Sequence, residues 1–120
     1  MAGSGDVVRN FYEAVGARDL AAARQWLADD LVFVGLFETY PNAQAYLAAL
    51  TGLLGITVRL DVLATVAEGD QAAIFFELET RAPAQAKTLV AEWHKVREGK
   101  VVWVRSAFDG RPFAAMFGGA

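Results

Sequence analysis

The sequence contains no cysteine, which excludes disulfides and thiolate chemistry. It contains a single histidine, His94. One histidine and no thiol leave only carboxylates as metal ligands, and these lack the spacing of a calcium loop, so no metal site is expected. No glycine-rich phosphate loop follows a strand-like segment, so no nucleotide cofactor is expected. There is no run of Lys or Arg, and the net charge is −3 with a pI near 5.0. That balance provides no electrostatic footprint for nucleic acid or for an anionic membrane. No apolar run approaches the ~20 residues of a membrane span. The opening residues, Met1 to Asp6, lack the charged and apolar regions of a signal peptide. A cytoplasmic protein is the expectation.

What is abundant is carbon. Hydrophobic residues make up 55% of the 120, with eight Phe, three Trp and three Tyr. This length and composition imply one globular domain spanning residues 1–120, with residues 1–5 flexible. The aromatic surplus points to an aromatic-lined cavity or an apolar subunit interface.

The apolar periodicity predicts three helices. Asp6 can cap the first, whose apolar positions are Val7, Val8, Phe11, Ala14 and Val15, and Gly16 ends it. Asp19 caps a second, with Leu20, Ala23, Trp26 and Leu27 on one side. A short buried strand, Leu31 to Val34, and a loop, Gly35 to Tyr40, lead to a third helix entered through Pro41 and Asn42. Its stripe is Tyr46, Leu47, Leu50, Leu53 and Leu54, and Gly55 stops it.

The remainder alternates with period two. Ile56, Val58, Leu60, Val62 and Val66 predict the inward face of a long strand. After a turn at Glu68-Gly69-Asp70, Ile74, Phe76 and Leu78 share a face opposite Phe75, Glu77 and Glu79. Thr88 to Asp109 reads as two long strands joined at Glu98-Gly99-Lys100. Pro112 stops the last strand, leaving Phe113, Met116 and Phe117 as a short apolar tail. Helices followed by a strand meander give an α+β fold: three helices packed in a curved, mostly antiparallel sheet, forming a cone with an apolar interior.

On the first strand of that hairpin, Val90, Glu92, His94 and Val96 share one face, while Leu89, Ala91, Trp93, Lys95 and Arg97 take the other. Glu92 and His94 are next neighbours, about 6.5–7 Å apart along the strand. Facing inward, Glu92 is a general acid whose pKa burial raises, and His94 can move protons near neutrality. Facing water, they are two solvated polar residues. Trp93 and Trp103 fall on the opposite face when Val102 and Val104 point inward, and they then suggest a homodimer interface. A bulge can reverse that parity and turn the tryptophans into the pocket.

The opening VVRNFYEAVGARDLAAARQWLADDLVF and the closing EGKVVWVRSAFD and RPF resemble the NTF2-like superfamily, specifically its SnoaL-like, ketosteroid-isomerase-like branch. The resemblance runs from about Val7 to Phe117 and implies a conical α+β fold (cystatin-like) and a homodimer. It implies activities of the isomerase, polyketide cyclase and epoxide hydrolase kinds, beside members that only bind. In the isomerase branch the first-helix tyrosine falls on Phe11, next to Tyr12, the base on Gly35, and the oxyanion-hole acid on Glu92. In the epoxide hydrolase branch Asp109 matches one aspartate, with Glu77 or Glu79 near the place of the other.

The candidate catalytic residues are therefore Glu92, His94 and Asp109, the last of which can equally cap a turn before Gly110. The candidate substrate contacts are Tyr12, Trp26, Phe33, Phe76, Tyr40 and Glu38, each with ordinary packing or solvation as the alternative. The expected ligand is a small hydrophobic molecule, handled without a cofactor.

Overall fold

The computed structural model describes residues 3–117. Helix α1 (Ser4–Gly16) begins earlier than its apolar pattern, with Gly3 as N-cap, so Asp6 lies inside the first turn rather than capping it. There its carboxylate favours the positive end of the helix dipole. The expectation of a flexible stretch through residue 5 is corrected for Ser4 and Gly5. Both are helical, and the Ser4 hydroxyl donates to the carbonyls of Gly69 and Gln71 at 2.9 and 3.1 Å. Met1 and Ala2 lie outside the described residues.

Asp19 caps α2 (Leu20–Arg24), accepting from the Ala22 N–H at 3.0 Å. The helix stops short of Trp26 and Leu27, because Leu27 already pairs with Val101 as the first residue of strand β1 (Leu27–Val34). Pairing partners outweigh the helical periodicity there. Within the expected loop, Thr39–Tyr40 forms a short strand, β2, on the edge of β1. Asn42 caps α3 (Ala43–Leu54), accepting from the Ala45 N–H at 2.8 Å. Then come β3 (Thr57–Glu68), β4 (Gln71–Thr80), β5 (Ala86–Arg97), β6 (Lys100–Ala107) and a 3-10 helix, Arg111–Phe117.

The six strands form one sheet in the order β2-β1-β6-β5-β4-β3, antiparallel throughout except where β1 runs parallel to β6. Helix α1 lies across the inner face of β3 to β6, and α3 packs on β1 to β3. This is the expected conical α+β fold, with its core between α1 and the sheet. One expectation fails at the edge. On β3, Val58 and Val66 are 49% and 61% exposed, whereas Thr57 is buried. Register shifts after Thr57 and after Val62 break the alternation, and an edge strand has no neighbour on its outer side to enforce it.

The β5–β6 hairpin turns at Glu98 and Gly99, both with positive φ (54° and 74°), as a two-residue turn requires. Pairing starts as Arg97↔Lys100 and Val96↔Val101, then steps to Lys95↔Trp103, so Val102 is an extra residue. This bulge sets which side chains of β6 face inward: it sends Val104 and Ser106 to the inner face beside His94 and Glu92. Trp103 is sent outward to meet Trp93 edge-on, ring centroids 4.9 Å apart.

Candidate active site

Between α1, α3 and the inner sheet face lies a cavity of about 160 Å³ with an almost wholly apolar wall, including Leu50, Leu53, Leu78 and Val90. Its rim is aromatic: Phe37 stacks flat on Phe117 at 4.8 Å, and both are partly exposed. Gly110 permits this closure, since a Cβ there would stand 2.9 Å from the Phe37 ring.

The closed end is polar. Val7, Val8, Phe11 and Val15 bury α1 against the sheet, and the same face carries Tyr12, 2% exposed, down onto β5. Its hydroxyl is hydrogen-bonded to Glu92 Oε1 and lies 3.0 Å from His94 Nε2. His94 Nδ1 lies 3.3 Å from the Ala72 carbonyl oxygen. A carbonyl can only accept, so Nδ1 carries the hydrogen and Nε2 offers a lone pair. The Tyr12 hydroxyl has one proton for two neighbours. An ionised Glu92 would leave two acceptors competing for that proton. A protonated Glu92 donates to the Tyr12 oxygen, and Tyr12 then donates to His94, which satisfies every group. The bond count therefore favours neutral Glu92 and neutral His94.

Electrostatics agree. Burial raises the Glu92 pKa above the usual carboxylate value, and the nearby Tyr12 and Ser106 hydroxyls offset only part of that rise. Burial also holds His94 down at about 4. Tyr12 is pushed up, first by burial and then by the Glu92 charge, and Tyr46 is pushed up in the same way. No Lys, Arg or His lines the cavity among the described residues, so nothing there compensates a negative charge. Among the described residues no three His, Asp or Glu side chains gather as metal ligands.

The structure brings some of the expected residues together and leaves others out. Glu92, Tyr12, Phe33, Phe76, Tyr40 and Glu38 line the cavity. His94 is fully buried, does not line the cavity, and touches it only through the Tyr12 hydroxyl. Asp109 is excluded: it lies outside the cavity and is clamped to the Arg111 side chain at 2.7–3.1 Å, which holds its pKa low. Trp26 is also excluded; it packs half-buried against the core, and its carbonyl anchors the Val101 N–H.

The implied tyrosine position shifts by one. Phe11 is spent on packing against Tyr46, and Tyr12 takes the place beside the acid. Gly35 lines the cavity but supplies no base, and a Cβ there would press at 3.0 Å on both the Glu38 carbonyl and the Phe33 ring. Glu77 and Glu79 point to the outer face of β4. Local spacing does not mark Ser106, which faces Glu92 only because of the bulge, or Tyr46, whose place on a helical stripe marks it as core; both line the cavity.

Comparison with curated protein sequences finds no match. Solved structures match over nearly the whole chain. A protein of unknown function with a cystatin-like fold from Xanthomonas campestris is 18% identical, with 99% of this chain and 100% of that one covered and a TM-score of 0.85. IdmH, a proposed polyketide cyclase from Streptomyces antibioticus, is 18% identical, with 98% and 99% covered and a TM-score of 0.80. An LEH-like epoxide hydrolase from M. tuberculosis is 19% identical, with 91% and 84% covered and a TM-score of 0.75. At these identities the likeness shows the fold. The model of the SnoaL-like domain matches residues 8–104, and the chain belongs to the SnoaL-like domain family of the NTF2-like fold.

Proposed function

We propose that this protein is a cofactor-free acid–base enzyme acting on a small hydrophobic molecule, with Glu92 as its general acid. The observation that carries the reading is a buried carboxyl, held by a tyrosine hydroxyl, at the closed end of an apolar cavity without a cation. An acid kept neutral near pH 7 can donate its proton to a carbonyl or epoxide oxygen. As Glu92 releases that proton to the substrate oxygen, the Tyr12 O–H swings its donation onto Oε1 and stabilises the carboxylate formed. The neutral acid is regenerated when the Glu92 carboxylate takes a proton from the substrate carbon in isomerisation or cyclisation, or from the attacking water in epoxide opening. Before Glu92 gives up its proton, His94 Nε2 accepts the Tyr12 hydrogen bond, which leaves the Tyr12 oxygen free to accept from Glu92 and favours the protonated acid. The family's structural neighbours named as a cyclase and an epoxide hydrolase support this class of reaction.

The test uses cyclohexene oxide and cyclohex-3-enone as apolar probes. Wild-type turnover of at least one is expected, reduced on the order of 10²-fold or more in Glu92→Gln, with the dissociation constant changed less than about threefold. Equal turnover by the variant overturns the assignment. One observation favours a second reading. Among the described residues lining the cavity, Glu38 at the rim is the one other ionisable carboxyl, and no base stands opposite Glu92. Probes that bind without turnover would make the protein a non-catalytic carrier of the same ligands.

We also propose a homodimer through the outer sheet face. Leu89 and Trp93 are 61% and 45% exposed there, and Phe75 and Trp103 lie beside them. Ala73, Ala91 and Ala107 floor a shallow dent next to Trp93, a fit for an apolar knob from a second copy.

A further inference from the structure

Thr88 is one of two buried hydroxyls among the described residues that find no hydrogen-bond partner. The other, Thr65, packs near Gly5 of α1 and does not line this cavity. Thr88 does line the cavity and is 5% exposed. It sits on the same face of β5 as Val90 and Glu92, four residues before the acid, which places the two about 13 Å apart along the strand. Its surroundings are hydrocarbon: Leu78 is its partner across the sheet, and Leu60 is the next residue in that row. Thr57 is the other threonine on the cavity wall, and its hydroxyl already donates to the Leu53 carbonyl at 2.8 Å. A valine would fill the Thr88 site with the same shape and no unmet polar group.

We infer that Thr88 forms a second polar subsite of the cavity, so that the ligand is an elongated neutral molecule with two oxygens. One oxygen meets Glu92 at the closed end, and the other meets Thr88 near the C-terminal end of α3. The inference rests on the cavity being a ligand site, as proposed above, and adds the ligand's length, its second functional group and its charge. Neutrality follows from the wall. The ionisable carboxyls facing the cavity are Glu38 and Glu92, with no cation to receive a carboxylate or phosphate. The Thr88 oxygen is sealed from solvent in this conformation. Engaging a ligand takes a step to another staggered χ1 well, which exchanges hydroxyl for methyl. An unmet hydroxyl gains a partner in that step, which offsets its cost.

The test compares undecan-2-one with undecane-2,10-dione, a pair that differs only in a distant second carbonyl, by protein-detected NMR titration. The wild type is expected to bind the dione about 3–10-fold more tightly than the monoketone, the range of one net hydrogen bond. In Thr88→Val that preference falls to within about twofold, whereas Thr88→Ser retains it. The dione also moves the Thr88 methyl resonance more than the monoketone does. Because Thr88→Val removes an unmet polar group, the ligand-free variant is expected to melt a few degrees higher, about 2–4 °C.

A dione preference unchanged in Thr88→Val, or absent from the wild type, overturns the subsite and leaves the cavity reading intact. A lower melting temperature for Thr88→Val also overturns it, since the hydroxyl would then have a partner within the fold. Failure of both ketones to bind overturns the cavity reading, and the subsite with it. The acid 10-oxoundecanoic acid, ionised at pH 7, is expected to bind at least tenfold more weakly than the dione; equal binding would overturn the neutral-ligand assignment.

Discussion

The two faces of β5 carry neighbouring residues to opposite fates. On the inner face Glu92 and His94 are 6% and 0% exposed, while on the outer face Leu89 and Trp93 are 61% and 45% exposed. Polarity is thus the reverse of the usual partition: the ionisable pair is inside and the large hydrophobes are outside. Burying an acid and an imidazole is tolerable only because each becomes neutral and hydrogen-bonded to the other through Tyr12. Exposing tryptophan and leucine is tolerable in one of two ways. Either a second copy covers them, or, for the tryptophans alone, Lys95, whose ammonium stands 5.0 Å from the Trp103 ring and 5.6 Å from that of Trp93, shields them in part. A buried polar cluster and an exposed apolar patch are each informative about function, where a buried leucine would not be.

The sharpest way to break the inner face is His94→Leu. It leaves the Tyr12 hydroxyl and the Ala72 carbonyl without their partner, and urea unfolding is expected to show a loss of about 2–4 kcal/mol. A neutral change would mean that the network does not hold the core.

Acid tests the same face without a mutation. The folded His94 titrates at about 4 against an ordinary 6.5, so on acidification the unfolded chain takes up the proton first. Stability from this group is full above pH 6.5 and is lost as the pH falls towards 4, by up to roughly 3 kcal/mol. Glu92 has the opposite sign. Its raised pKa makes the fold prefer the protonated form, so its contribution is lost as the pH rises above the ordinary carboxylate range. Chemical unfolding across pH 4–7 should show the His94 slope in the wild type and not in His94→Leu.

On the outer face, Leu89→Ser combined with Trp93→Ser should weaken self-association about 10–100-fold while the monomer stays folded, as read by sedimentation velocity and near-UV circular dichroism. A wild type that sediments as a monomer at high concentration would remove the dimer. The smallest effect is expected at Asp109→Ala. Its side chain is half exposed and paired with its near neighbour Arg111, so neither turnover nor melting temperature should change measurably. A loss of turnover there would return Asp109 to the site.

The sequence alone carried the three helices and the five longer strands, the Asp19 cap, the entrance of the third helix at Asn42, the hairpin turn and the shared face of Glu92 and His94, though not the short β2 or the final 3-10 helix. These depend on local spacing and local hydrogen bonds, which neighbouring residues encode. Several features were not legible locally. The end of α2 before Trp26 depends on β1 finding β6, seventy-odd residues away. The exposed valines of β3 result from its place at the sheet edge, which alternation cannot reveal. The partner of Glu92 on β6 depends on one extra residue, Val102, since an unbulged hairpin would have faced it with Arg105 instead of Ser106.

Tyr12 illustrates the division best. Its helical periodicity marks it only as a residue near the apolar stripe, and nothing local distinguishes it from Phe11. The tertiary fold alone lays α1 across β5 so that one hydroxyl meets both an acid and an imidazole. Likewise Asp109 has the right residue type in the right stretch, yet the chain ties it to Arg111 and turns it to solvent. Sequence determines which chemistry is present on each element, because that is a matter of residue identity and period. Which groups share a proton is a matter of distance across the sheet and helix, and only the packed structure decides it.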